Sequence, residues 1–310
     1  MEDPLAAWLA AESEDLDELW RRVLRRGIEP DELSATEARL AAGMSRAALL
    51  RELATSVEHD HVLRLDDAVA WAAAARRNGE RPRNLVAPPG VDERPIEIPW
   101  CLARYAGEPS VLDVGYAFAE PAYLVGLLGL GAPKLTGVDL ATADVPGLRS
   151  VQADLRELPF GDGEFDVAIA ISTLEHVGRD NSQYGLAAEH DDASLDAALR
   201  ELQRVSARLL VTVPTGAGEL LPEQAVFAPA EWIERFERAG FLVWEDELYE
   251  LGADGWRSVP ALSAGLTYGS LGPGASAVLC AELRPRRLSA RLKLAVRDRR
   301  YAGDVRRVTG

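Results

Sequence analysis

The chain has 310 residues, with 34 Lys plus Arg against 50 Asp plus Glu and a formal charge of −16. A hydrophobic share of 47% beside 27% charged residues excludes a mostly disordered chain and fits a folded protein with a sizeable core, long enough for roughly two domains. Two cysteines, Cys101 and Cys280, can make neither a disulfide framework nor a four-cysteine zinc site, and no apolar run reaches the ~18 residues of a membrane span, so a reducing cytosol is the expected compartment.

Residues Met1 to Pro4 are acidic where a signal peptide would be basic, and an acidic chain is a poor general partner for nucleic acid. The charge is uneven. Residues 284–307 carry nine Arg and Lys293 against Asp298 and Asp304, a +8 segment that leaves −24 for the rest.

Residues 1–62 read as a helical module. Leu16, Leu19, Trp20, Val23 and Leu24 fall at the spacing of one helix face, and Gly27 and Pro30 stop that helix. Asp31 can cap a helix over 32–42, and Ser45 can cap Arg46 to Ala54. His59 and His61 are expected at the surface. The frame Trp20-x-x-Val23-Leu24-x-x-Gly27-x-x-Pro30-Asp31, Ala42-Gly43-x-Ser45-Arg46 and Leu50-x-x-Leu53 resembles a short helical module often fused to bacterial glycan-modifying enzymes; a plain bundle that packs on its neighbour is the alternative. Residues 63–108 read as a linker and lead-in helix, the linker marked by Pro82, Pro88, Pro89, Gly90 and Pro95, the helix running from about Pro99 to Tyr105.

From residue 109 to 284 strands alternate with helices. Strands are predicted at 110–114, 135–140, 149–151, 165–171, 209–213, 241–244 and 275–283, and helices at 121–130, 193–205 and 229–238. Continuous apolar strands between helices imply an α/β fold, a parallel sheet covered on both faces, with ligands at the carboxyl edge. On that edge Gly115 follows the first strand directly and lets backbone approach a ligand. Asp139 closes the second strand, where a carboxylate can accept from both ribose hydroxyls of a nucleoside cofactor. Asp154 follows the third strand and could also cap a short helix. Asp113 and Asp166 suit structural roles at strand ends, and Phe118, Tyr123 and Leu124 suit the core.

The series Val111-Leu112-Asp113-Val114-Gly115, Gly137-Val138-Asp139, Ala153-Asp154-x-x-x-Leu158-Pro159-Phe160, Phe165-Asp166-Val167 and Thr173-Leu174-Glu175-His176-Val177 resembles class I S-adenosylmethionine-dependent methyltransferases of the type 11 kind. The resemblance implies a Rossmann-like seven-stranded sheet, its last strand antiparallel, with S-adenosylmethionine as cofactor. It also implies that Asp113, Gly115, Tyr116 and Ala117 form the turn at the methionine end, that Asp139 and Leu140 meet the ribose, that Asp154 and Leu155 meet the adenine, and that Ser172 or Thr173 lies under the sulfonium. The family's second and third turn glycines are Ala117 and Ala119 here, which fits a turn unstrained at those points. That departure favours a rival reading, a non-catalytic interaction protein on a cofactor fold, which Asp139 and Asp154 oppose.

A hydroxyl acceptor would need a base. His176 is the candidate, His190 a weaker one, and an orienting His176 is the alternative. No metal is expected, because the Glu-x-x-Glu-His frame of metal-binding relatives reads Ser172-Thr173-Leu174-Glu175-His176 here. Tyr184, Trp256, Arg257 and Tyr268 are candidates for an acceptor pocket closed by 178–192, 216–228 and 252–274. They suit a glycan, a sugar intermediate or its lipid-linked precursor, or else a small lipid-like or aromatic metabolite. The basic tail, 285–310, suits peripheral contact with an anionic membrane.

Overall fold

The computed structural model describes residues 15–182, 185, 191–272 and 274–286. Four helices come first. Helix α1 (Leu16–Val23) buries the predicted stripe of Leu16, Leu19, Trp20 and Val23, and Asp15 caps it by accepting from the Glu18 N–H. Each such burial contributes about 1.5–3 kcal/mol, and these side chains join Leu49 and Leu50 in a small separate core. Helix α2 (Pro30–Ala41) starts earlier than predicted. Its cap is Glu29 rather than Asp31, because Glu29 and Glu32 reach each other's backbone N–H in a capping box ahead of Pro30. Helix α3 (Arg46–Ala54) has the predicted Ser45 cap, which accepts from the Ala48 N–H. Helix α4 (Val57–Arg77) is one element of 21 residues and passes through positions 62 and 63 unbroken.

Part of the expected linker is ordered as β1 (Val86–Ala87), and the lead-in helix α5 (Arg94–Ala103) begins well before Pro99. Pro95 sits in its first turn, where no N–H is needed, and Pro99 is carried within it. The α/β region then runs β2 (Ser110–Val114), α6 (Pro121–Leu128), β3 (Lys134–Asp139), β4 (Arg149–Gln152), β5 (Val167–Ile171), α7 (Asp192–Val205) and β6 (Leu209–Pro214). A small hairpin of β7 (Glu219–Leu220) and β8 (Ala225–Val226) precedes α8 (Pro229–Arg238), β9 (Phe241–Gly252), β10 (Gly255–Val259) and β11 (Ala277–Pro285).

The seven predicted strands lie in the order β4-β3-β2-β5-β6-β11-β9, and β11 alone among them runs against its neighbours. Two further strands, β10 and β1, extend the sheet beyond β9 to nine. They fall in segments read from the sequence as loops. Gly255 makes the extension possible: its φ is +102°, and a Cβ there would lie 2.1 Å from the Ala87 carbonyl oxygen. Strand β5 is shorter than its apolar run. Phe165 makes a single bridge to Ser206, and Asp166 turns aside to accept from the Ser110 N–H and hydroxyl.

Alternate residues of each central strand feed two cores. Val111, Val167 and Ile169 pack towards α4, α5 and α6. Leu112, Val114, Ala168 and Ala170 pack towards α7 and α8. At the amino edge of the sheet sits a buried ion cluster. Arg208 donates to Glu108 at 2.6 Å, to Glu282 at 2.9 Å and to the Arg104 carbonyl at 2.8 Å, and Arg104 donates to Glu245 at 2.8 Å. These ion pairs hold α5 to the sheet at the edge opposite the carboxyl ends of the parallel strands.

Candidate active site

The carboxyl ends of β2, β3 and β5, with the segments that follow β4 and β5, open on a cavity of about 410 Å³. Gly115 leaves β2 at φ +88°, and its N–H donates to the Val138 carbonyl at 2.9 Å. A Cβ there would stand 2.5 Å from Thr173 Oγ1, so only glycine fits between the two strand ends. The chain then makes one tight turn over Tyr116–Phe118. Neither Ala117 nor Ala119 has a positive φ, so the expectation of an unstrained turn holds.

Asp139 anchors that turn. Its Oδ2 accepts from the Ala117 N–H at 3.1 Å and its Oδ1 from the Ala141 N–H at 3.2 Å. Both oxygens keep further lone pairs, and the residue lines the cavity. Leu140 and Leu155 line it beside Asp139 and Asp154. Asp154 is engaged locally: its Oδ1 accepts from the Arg156 N–H at 2.8 Å, and its carboxylate pairs with the Arg156 guanidinium. Burial works to raise the Asp154 pKa, and the bonds from Arg156 outweigh it and hold the carboxyl below its usual range.

Asp113 and Tyr116 do not line the cavity. Tyr116 is buried under the turn, its ring against Gly137, where a Cβ would come within 2.7 Å. Asp113 is buried in a hydrogen bond from the Tyr123 hydroxyl. Burial, despite that bond and with Asp139 nearby, raises its pKa to about 7. Tyr123 and Phe118, expected in the core, both reach the cavity wall, and Phe118 is half exposed.

The turn after β5 carries the second cluster. Ser172 and Thr173 line the cavity. Ser172 has φ +42°, one of three non-glycine residues with positive φ among those described. His176 closes the short turn Leu174–His176 and lines the cavity with its ring mostly buried. Its Nδ1 lies 2.7 Å from the Glu223 carbonyl, in the hairpin between β7 and β8. A carbonyl only accepts, so Nδ1 carries the proton and the lone pair of the neutral ring is on Nε2, 4.0 Å from Glu175 Oε1. Burial lowers the His176 pKa, against the raising effect of the Glu223 carbonyl.

Helix α5 supplies residues that no sequence motif marks. Arg94 and Ile98 line the cavity, and Arg94 donates to the buried Glu97 at 2.8 Å. Burial pushes the carboxyls of Glu93, Glu97 and Glu175 up, and Glu175 Oε2 is buried without a hydrogen-bond partner among the described residues. At the rim His61 is not a plain surface residue. Its Nε2 lies 3.9 Å from both Asp92 and the cavity-lining Glu120, which raises its pKa. His59, too, is part-buried, its Nδ1 2.9 Å from the Val23 carbonyl.

The acceptor candidates fare unevenly. Trp256 is buried in the core with its indole N–H donating to the Val91 carbonyl, and Arg257 is exposed on β10. Tyr268 packs against the core near Gln224. None of the three lines the cavity. Trp256 and Arg257 miss the cavity because 252–259 forms the turn and strand that widen the sheet, not a loop over the site. Tyr184 and His190 lie outside the described residues.

Residues 112–208 match the family model described as a methyltransferase domain. This segment is similar to a methyltransferase domain. The 1,6-didemethyltoxoflavin-N1-methyltransferase of Burkholderia thailandensis, solved with 1,6-didemethyltoxoflavin and S-adenosylhomocysteine, is 16% identical over 84% of this chain and 92% of its own, with a TM-score of 0.40. An S-adenosylmethionine-dependent methyltransferase of Thermotoga maritima is 14% identical over 73% and 92%, with a TM-score of 0.38. The [4+2]-cyclase SpnF is 16% identical over 70% and 93%, with a TM-score of 0.42. No curated protein matches the sequence. The cofactor of the domain is S-adenosylmethionine, and the cavity fits it: a glycine with no room for a Cβ, a carboxylate with two accepting oxygens, and two leucines beside it.

Proposed function

We propose that the protein transfers a methyl group from S-adenosylmethionine to a hydroxyl of a sugar, as part of a bacterial glycan, a sugar intermediate or a lipid-linked precursor. When bound, the cofactor supplies a methyl carbon on a cationic sulfur, open to direct displacement. Asp139 and Leu140 would hold the ribose and Gly115 the methionine end, with Ser172 and Thr173 below the sulfur and Asp154 and Leu155 around the adenine. The observation that carries the acceptor type is the tautomer of His176. With its proton fixed on Nδ1 by the Glu223 carbonyl, the ring is neutral and basic at Nε2, the form needed to take a proton from a hydroxyl. The rest of the catalytic effect is alignment of acceptor and methyl group.

The sugar reading is supported by the polar side chains Arg94, Glu120 and Asn181 on the cavity wall, and by the resemblance of the helical module. The apolar wall of Ile98, Phe118 and Val177 favours the second reading, a small lipid-like or aromatic metabolite. Mass spectrometry of glycans and of extracted metabolites from a deletion strain separates the two by which fraction loses a methyl group.

His176→Ala is expected to slow transfer by about 10²–10⁴ while leaving cofactor binding nearly unchanged. In the parent the acid limb of the rate should lie below pH 6.5, since the base works only when neutral and its pKa is lowered. An unaltered rate in His176→Ala, with cofactor saturating at neutral pH, would remove the base and leave alignment alone.

A further inference from the structure

Ser172 is in an unusual backbone state. With φ at +42° it sits where a side chain with a Cβ is strained, at the end of β5 and on the wall of the cofactor cavity. Such a state persists only when its surroundings hold it. Three contacts do so. The Ser172 N–H donates to the Thr212 carbonyl at 3.0 Å, which continues the β5–β6 ladder, and to the Thr212 hydroxyl at 3.3 Å. The Ser172 hydroxyl donates to Glu97 Oε1 at 2.7 Å.

Glu97 is fully buried on α5, outside the 112–208 segment that matches the methyltransferase model. Its other oxygen, Oε2, accepts from Arg94 at 2.8 Å, so one carboxyl group joins two residues of the cavity wall. The conformation at Ser172 sets the direction of the next residue. Thr173 Oγ1 donates to the Val114 carbonyl at 3.1 Å and to the Ile171 carbonyl at 3.0 Å, and it occupies the space beside Gly115 that a Cβ would need. Turning Ser172 out of its present state would swing Thr173 away from Gly115 and undo the floor between the two strand ends.

We propose that Glu97 is a positioning residue for the cofactor site: through the Ser172 hydroxyl it holds the left-handed turn after β5 that seats Thr173 against Gly115. The lead-in helix thereby takes part in binding a cofactor whose motif residues lie along the carboxyl edge of the sheet. The proposal rests on the cofactor site described above and makes a contrast that a direct contact from Ser172 to the cofactor would not make. Ser172→Ala and Ser172→Gly both delete the hydroxyl. Alanine keeps the Cβ that disfavours positive φ, whereas glycine adopts that backbone without a holder.

The test is calorimetry of the full chain with S-adenosylhomocysteine, with a thermal melt of each variant to confirm folding. Ser172→Ala should bind about tenfold more weakly than Ser172→Gly. Glu97→Ala should weaken binding by a similar factor in the parent and by less than about twofold when added to Ser172→Gly, since two changes acting through one link do not add. Equal affinity of the two Ser172 variants overturns the proposal, as does full additivity of Glu97→Ala with Ser172→Gly. If Glu97→Ala does not fold, the contrast between alanine and glycine at position 172 decides alone. A parent that does not bind S-adenosylhomocysteine would sink the cofactor site and this proposal together. A parent that binds, with no contrast at 172, would sink this proposal only.

Discussion

Asp139 and Asp113 are near neighbours with opposite surroundings, and their chemistry diverges accordingly. Asp139 faces the cavity and spends one lone pair of each oxygen on a backbone N–H, which fixes the carboxylate without exhausting it. Asp139→Ala should therefore weaken binding of S-adenosylhomocysteine by about 1.5–3 kcal/mol, the worth of a charge-assisted contact. A folded Asp139→Ala chain that bound as tightly as the parent in calorimetry would show the ribose site to be misplaced. Asp113 is buried, and its pKa is raised from 3.8 to about 7, chiefly by that burial. A carboxyl with a raised folded pKa keeps its proton longer in the native state, so stability falls as pH climbs from about 4 to about 7 and is level above. Asp113→Asn keeps an acceptor for the Tyr123 hydroxyl and cannot ionise. Melting temperatures of variant and parent should shift in favour of the variant across that window. Parallel curves for the two chains would mean that Asp113 stays ionised in the fold.

Among the elements, those that bury one continuous apolar run were legible in the sequence. Val111 to Val114, Val167 to Ile171 and Leu209 to Val213 are strands because each places alternate side chains into two different cores. Asp139 at the end of β3 and Gly115 at the end of β2 were legible for the same reason, since strand ends fix the ligand edge. Strands β1 and β10 were not. Two residues, Val86 and Ala87, carry no periodicity, and β10 takes its place only because Gly255 lets the chain pass the Ala87 carbonyl. Arg94 and Glu97 were missed because a buried ion pair on a helix preceding the motifs resembles any lead-in segment until tertiary packing brings it to Ser172. Close helix packing also went unread. Gly126 of α6 faces α4 and α5, and a Cβ there would lie 2.5 Å from Leu102 Cδ1 and 2.9 Å from Val69 Cγ1. Alanine would need small side-chain shifts and would gain helix propensity. Gly126→Val should overpack the three-helix contact and cost about 1–3 kcal/mol, read as a lower midpoint in urea at unchanged slope. A midpoint equal to the parent's would mean that α4 and α5 yield at this contact.

Across the whole molecule the described body ends in an anchored strand. Strand β11 continues to Pro285, Arg284 stacks over Trp244 at 3.9 Å, and Arg286 donates to the Gly240 carbonyl from its N–H and to the Phe241 carbonyl from its side chain. Removing residues from 284 onward would take the last rungs of the β9–β11 ladder with the tail, so the body is best ended at Arg286. Residues 287–310 hold eight Lys and Arg against Asp298 and Asp304, with Leu288, Leu292, Leu294 and Val296 among them, and lie outside the described residues. Among the described residues no helix is long and apolar enough to cross a membrane. Mixed basic and apolar residues suit a bilayer surface, where each cation near anionic lipid contributes about 1 kcal/mol. Such a contact would serve a lipid-linked acceptor by holding the cavity near it. The competing attraction is the acidic body itself, and salt weakens both. Flotation separates them: at low salt the full chain should rise with vesicles containing anionic lipid, stay down with neutral ones, and lose its association as salt is added. A chain ending at Arg286 should stay down throughout. If the full chain and the shortened chain partition alike on anionic vesicles at low salt, residues 287–310 do not anchor the protein to a membrane.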